Sequence, residues 1–136
     1  MAYDWLDEYL RGKPGAEHDY KLEWEWDRYM VRGRMFAAIC CPGSRHKAYA
    51  GHRLVNLKCD PMLAEAFREA YPEVRPGFYM DKRNWNAVLL DGSLPEETLR
   101  DLCDLAYRLI LEKLPQRVQR EIVGAEQTDR KRGNDR

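Results

Sequence analysis

The 136-residue chain contains no run approaching the ~20 consecutive apolar residues that span a bilayer, so no membrane association is expected. It has no G-x-x-x-x-G-K or G-x-G-x-x-G loop to cradle phosphate and no G-x-S-x-G elbow to present a nucleophile. Cysteine is sparse and unpatterned. Cys40 and Cys41 are adjacent, Cys59 and Cys103 stand alone, no C-x-x-C pair occurs, and His18, His46 and His52 complete no zinc spacing. Neither a metal nor a cofactor is expected, and the four thiols read as reduced. The first eight residues include Asp4, Asp7 and Glu8, without the basic start and apolar middle of a signal peptide, so the expectation is a cytoplasmic protein. Charge of one sign is also missing: 23 Lys plus Arg balance 23 Asp plus Glu, so no global field draws the chain to an anionic partner. Apolar residues still make up 44%, which is enough for a core and argues against disorder over the whole length.

The apolar residues are patterned. Trp5, Leu6, Tyr9 and Leu10 recur at helical spacing and predict a short helix ended by Gly12 and Pro14-Gly15. Tyr20, Leu22, Trp24 and Trp26 alternate with charged residues, which predicts one strand over 20–30 with its aromatics buried. Apolar runs flank Arg32-Gly33-Arg34, the signature of a hairpin with its tip at Gly33. Arg53 to Lys58 reads as a strand, and Asp60-Pro61 opens a helix whose stripe is Leu63, Ala64, Phe67, Ala70 and Tyr71. Trp85 to Leu90 reads as another strand. Ser93-Leu94-Pro95-Glu96 has capping-box spacing before a long helix carrying Leu99, Leu102, Cys103, Ala106, Leu109, Ile110 and Leu114, interrupted at Pro115. The order is helix, three or four strands, helix, one or two strands, helix. Consecutive strands with short turns favour antiparallel pairing, hence an α+β two-layer domain with an antiparallel sheet and helices on one face. A single domain over 1–122 is expected, followed by a flexible charged tail over 123–136.

The zero net charge hides a partition. Residues 1–27 hold eight acids and three bases, whereas residues 28–59 hold Arg28, Arg32, Arg34, Arg45, Lys47, Arg53 and Lys58 and no acid. A basic hairpin region on an otherwise exposed sheet face is suited to phosphate. The acidic first segment packing nearby would instead neutralise it, and basic strand edges also serve to block aggregation. A pI of 6.8 argues against strong binding by charge alone. Glu17-His18-Asp19 with Glu23 and Glu25 reads as the solvated face of a strand rather than as acid–base groups, and no spacing meets the needs of catalysis, so a non-enzymatic protein is expected. Trp24, Trp26 and Trp85 read as core, with base stacking the alternative.

The run from Val74 to Pro95, with Pro76-Gly77-Phe78 and Lys82-Arg83-Asn84-Trp85-Asn86 at its centre, resembles the MmcQ/YjbR family of small bacterial proteins. So do Val55-Asn56-Leu57-Lys58-Cys59-Asp60-Pro61, Lys13-Pro14-Gly15-Ala16, Leu105-Ala106-Tyr107 and Lys113-Leu114-Pro115. The family more often has Asn at position 81, His at 84 and Ser at 106, where this chain has Asp81, Asn84 and Ala106. The resemblance implies a frataxin-like or secretion-chaperone-like α+β fold and a double-wing DNA-binding role. The wings would be the Arg32-Gly33-Arg34 hairpin and the loop around Asp81-Lys82-Arg83. The candidate DNA-contacting residues are then Arg32, Arg34, Arg53, Lys58, Lys82, Arg83, Trp85 and Asn86; Trp85 and Asn86 serve equally well as fold-determining residues. The alternative is a non-enzymatic protein-interaction or chaperone-like module that holds a protein partner, or a second copy of the chain, on the open sheet face.

Overall fold

Alternation of side chains along successive apolar segments builds a six-stranded sheet, seen in a computed structural model that describes residues 3–43 and 49–124. The elements are α1 (Leu6–Arg11), β1 (Ala16–Lys21), β2 (Trp26–Val31), β3 (Arg34–Cys40), β4 (Leu54–Lys58), α2 (Pro61–Ala70), β5 (Val74–Pro76), β6 (Trp85–Leu89), α3 (Glu96–Glu112) and a helix α4 over 116–124. The sheet order is β1-β2-β3-β4-β6-β5 and every pairing is antiparallel, giving the expected α+β architecture. Helices pack on one face. There Leu99, Cys103, Ala106 and Ile110 of α3 and Leu6 and Leu10 of α1 meet Val31, Ile39, Val55 and Val88. Of the charged tail, residues 125–136 lie outside the described residues, as do Arg45, His46 and Lys47; α4 takes in 123 and 124.

Arg32 and Gly33 both adopt positive φ, 50° and 79°, between the paired Val31 and Arg34. That is the two-residue turn whose twist matches antiparallel strands. The single strand expected over 20–30 is instead a second hairpin. β1 ends at Lys21, residues 22–25 turn, and Lys21 pairs with Trp26. The turn closes through Trp24 N–H to the Lys21 carbonyl (3.1 Å) and a left-handed Glu25 (φ 58°). No Gly, Pro, Asn or Asp marks it, so the alternation runs through the turn unbroken. Trp26 is buried, while Tyr20, Leu22 and Trp24 are exposed.

The capping box at Ser93 does not form. Pro95 occupies the N-cap without a side-chain bond, and Ser93 donates its N–H to Asp91 Oδ1 (2.9 Å) in the preceding loop. Asp60 does cap α2, accepting from the N–H groups of Met62 and Leu63 at 3.0 and 3.4 Å. Only Ala64 of the predicted α2 stripe is fully buried. Phe67 and Tyr71 pack at the core's margin and Leu63 is exposed, because α2 lies beside β5 and β6 at the border of the helical layer.

The face away from the helices is not left open. Trp26, Ala38, Cys40, Leu54, Ala87 and Leu89 form a second apolar cluster, and the β5–β6 loop folds back to place Phe78 on it. Asn56, fully buried in mid-strand, holds the loop there: its Nδ2 donates to the Phe78 carbonyl (2.8 Å) and its Oδ1 accepts the Phe78 N–H (2.9 Å). Gly77 is required by close approach, since a Cβ there would lie 2.8 Å from Trp85 Cβ. Asn56→Ala should therefore cost about 2–4 kcal/mol, because both backbone groups of Phe78 lose their buried partners. Urea titration measures it, and a loss within ~0.5 kcal/mol, as at a surface site, would remove the clamp from the account.

On the helical face, Asp7 accepts from the buried Tyr29 hydroxyl (2.6 Å) and from Arg11 (3.0 Å). Burial pushes the Asp7 carboxyl up, but these two donors outweigh it and hold it below its ordinary value of 3.8. The folded value lies below the unfolded one, so this stabilisation is present above about pH 4 and disappears as pH falls through the folded value. Tyr29→Phe should accordingly destabilise more at pH 6 than at pH 2.5, and denaturation at the two pH values reads the difference.

Candidate functional site

Sheet register sorts the predicted site residues. Ala37 pairs with Leu57, and Lys58 with Trp85, so the start of β3, the end of β4 and the start of β6 adjoin at one end of the sheet. Arg34 begins β3, Lys58 ends β4, and Lys82 and Arg83 immediately precede β6, with the Arg32-Gly33 turn beyond Arg34. Five of the eight candidates thus gather there. Arg53 does not: it precedes β4 at the opposite end, where its carbonyl accepts from Leu90 N–H (2.8 Å).

Trp85 and Asn86 are at the right end but buried, at 7% and 2% exposure. The Asn86 side chain faces α2, accepting from Arg68 Nε (2.7 Å) and donating to the Ala64 carbonyl (3.3 Å). The Arg68 guanidinium also bonds the carbonyls of Lys82 and Trp85, which ties the basic loop to α2. Lys58 lies 5.6 Å from the centre of the Trp85 ring. Trp85 and Asn86 therefore present no surface for a base. They fix the strand from which Lys82 and Arg83 project.

The electrostatics at this end are mixed. Burial pushes the Lys58 ammonium below its ordinary value, and neighbouring Lys113, just past α3, lowers it further; Asp81 acts the other way. Lys113 is a further basic group at this end, brought there by the end of α3 and not by any local pattern around Lys58. Arg32 reaches Glu121 of α4 (3.6 Å), both half-exposed. Arg28 forms a bidentate pair with Asp19 across β1 and β2 (2.7 and 2.5 Å), so part of the basic window is neutralised by the acidic first segment. Among the described residues Arg34, Lys82 and Arg83 form no ion pair. Asp81 is spent within its own loop, accepting from the Asn84 side chain (2.5 Å) and the Arg83 N–H (3.0 Å), the first of which chiefly holds its carboxyl below the ordinary value.

On the face away from the helices, a cleft of about 790 Å³ opens between the 22–25 turn, β3 with 41–43, and residues 78–80, and it runs along β3 as far as Met35, next to Arg34. Trp24, Trp26, Phe78 and Tyr79 wall it, Met35 and Met80 contribute thioethers, and Glu23 and Glu25 stand on its rim. The sequence carries no local sign of it, because the 22–25 turn that forms it continues a strand-like alternation. Among the described residues, no group of three or more His, Cys, Asp and Glu side chains is arranged to hold a metal ion, and no helix is long and apolar enough to cross a membrane.

Comparison with known proteins agrees with this architecture. The YjbR family model matches residues 11–109. The chain is 32% identical over 123 residues to protein YjbR of Escherichia coli K12, covering 90% of this chain and 98% of that one. It is 28% identical over 98 residues to YbdF of Escherichia coli O157:H7, covering 72% and 75%. Among solved structures, the Deinococcus radiodurans protein DR2400, a DUF419 domain, superposes with TM-score 0.73 at 26% identity, covering 91% of this chain and 88% of that one. A Pseudomonas syringae protein shares the fold with TM-score 0.68 at 21% identity, covering 81% and 99%.

Cys41 is exposed while Cys40, Cys59 and Cys103 are buried. Burial pushes the three buried thiols up to about 12, about 11 and about 12 respectively. One thiol per folded chain should react promptly with a thiol-specific disulfide reagent at pH 8 and four after denaturation, with Cys41→Ser abolishing the fast phase. Two or more fast thiols in the native protein would contradict the burial described.

Proposed function

The chain belongs to the YjbR family, and we propose that it is a non-enzymatic, cytoplasmic nucleic-acid-binding protein that holds phosphates at the basic end of its sheet. One observation carries the reading: register and the folded-back β5–β6 loop bring Arg32, Arg34, Lys58, Lys82 and Arg83 together on two neighbouring projections. Arg34 and Arg83 engage phosphate oxygens directly, since guanidinium groups suit them geometrically and neither is committed to an ion pair among the described residues. Lys58, desolvated and beside Lys113, gains most from an anion, which restores its preference for the charged form. Arg32 contributes only by leaving Glu121. Arg53, Trp85 and Asn86 have no part in the contact, on the positions given above.

With phosphates as the main contact, binding is steeply salt-dependent and little dependent on sequence. The alternative, a protein partner on the open sheet face, has to share that face with Phe78 and Met80, which already cover part of it.

Duplex DNA binding followed by anisotropy at several salt concentrations tests the proposal. Arg34→Ala with Arg83→Ala should weaken binding alike for unrelated sequences and reduce the slope of log K against log salt by about 1.8. Arg53→Ala, at the far end, should change neither. Asp81→Asn should strengthen binding a few-fold at low salt by removing the acid between the bases. An unchanged slope in the double variant, or an equal loss in Arg53→Ala, would reject this end of the sheet as the interface.

A further inference from the structure

The aromatic cleft on the face away from the helices is a second site, of different chemistry. Its walls are rings in mutual contact: Trp24 and Trp26 centroids lie 5.4 Å apart, Trp26 and Phe78 6.3 Å, and Phe78 and Tyr79 4.8 Å. Trp24 is 53% exposed, Leu22 74% and Tyr79 69%, so large apolar groups surround the opening rather than fill it. Two residues at its border, Glu25 (φ 58°) and Tyr79 (φ 55°), hold left-handed backbone that non-glycine residues adopt at a cost. The described lining includes two carboxylates and no lysine or arginine. Glu23 is shared with Lys21 (3.8 Å), whereas Glu25 forms no ion pair among the described residues. Trp24 already attracts cations: the Lys21 ammonium lies 5.4 Å from its ring centre and the Arg28 guanidinium 5.7 Å.

We propose that this cleft binds a small organic ammonium ion whose charge is wrapped in alkyl groups. Ring faces attract positive charge, and indole does so most strongly. A compact, strongly hydrated cation would lose its water to walls of Trp, Phe and Met that return no hydrogen bonds. An alkylated ammonium carries little tightly held water, fits apolar walls through its methyl groups and still meets the field of Glu25. A neutral apolar guest would bury the same surface without using the carboxylates or the ring quadrupoles. A phosphate or nucleotide base is disfavoured by Glu23 and Glu25. The volume, about 790 Å³, is within the range of small-molecule sites and leaves room for substituents beyond a trimethylammonium head.

None of the five bases assigned to phosphate lines this cleft. The test is a titration of the purified protein with choline, followed by the indole N–H signals of its four tryptophans in ¹H–¹⁵N spectra. The control is 3,3-dimethylbutan-1-ol, which replaces the charged nitrogen by carbon at nearly the same shape. Choline should give saturable shifts at Trp24 and Trp26 and not at Trp5 or Trp85, and should bind at least fivefold more tightly than the alcohol. Trp24→Ala should weaken binding tenfold or more, and Glu25→Gln about threefold by removing one exposed charge. Both positions are exposed on a turn, so the variants should keep the wild-type unfolding midpoint. Equal affinity for choline and the alcohol would show an apolar pocket without cation selectivity. Shifts that fail to saturate by ~50 mM would show no site of even weak affinity. Either result overturns the proposal.

Discussion

A single buried amide organises what is distinctive here. Asn56 sits in a strand whose neighbours Val55 and Leu57 are apolar, and an unpaired side-chain amide at that depth would be costly. Its nitrogen and its oxygen each bond the backbone of Phe78, 22 residues away. This bond turns the β5–β6 connection back across the sheet instead of letting it extend into solvent. Residues 78–80 then become one wall of the aromatic cleft, and residues 81–83 return to the end where Arg34 and Lys58 emerge. Gly77 permits the reversal by letting backbone pass against Trp85, and Arg68 secures the returning limb through the carbonyls of Lys82 and Trp85. The loop thus belongs to both candidate sites at once.

The charge distribution follows from the same topology. Antiparallel pairing of β1 with β2 brings the acidic first segment against the basic window, and Arg28 is consumed by Asp19. At the basic end Glu17 of β1 still reaches the Gly33 N–H (3.4 Å), while Arg34, Lys82 and Arg83 form no ion pair among the described residues. Glu23, paired with Lys21, and Glu25 stand on the turn at the rim of the cleft. A chain of zero net charge therefore presents a basic end and an acid-rimmed aromatic cleft, each set by register rather than by composition.

The α+β class, the strand and helix order, the Asp60-Pro61 start of α2 and the Gly33 hairpin tip were all legible from local pattern. Periodicity and cap chemistry act within a few residues, and at these places tertiary packing agrees with them. The 22–25 turn was not legible, since its positive φ falls on Glu25 and its residues continue a strand-like alternation. Nor was the failed cap at Ser93, where Asp91 competes for the Ser93 N–H and Pro95 begins the helix. For the site, sequence proximity grouped Arg53 with Arg32 and Arg34, but β3 and β4 run in opposite directions and separate them by the length of the sheet. Trp85 and Asn86, set beside Lys82 and Arg83 by the motif, point into the packing beneath the loop. A polar residue between Val55 and Leu57 was the one local sign that something distant had to come to this strand. The identity of its partner is a long-range fact that no local pattern holds.

The dependence of both sites on the Asn56 clamp is tested most directly by native-state hydrogen exchange at the Phe78 amide. A clamped N–H opens only when the sheet opens, so its exchange free energy should approach that of the central β3 and β4 amides. Exchange of Phe78 as fast as that of solvent-exposed loop amides would mean that the loop leaves the sheet independently, and the clamp would not be what positions the two sites.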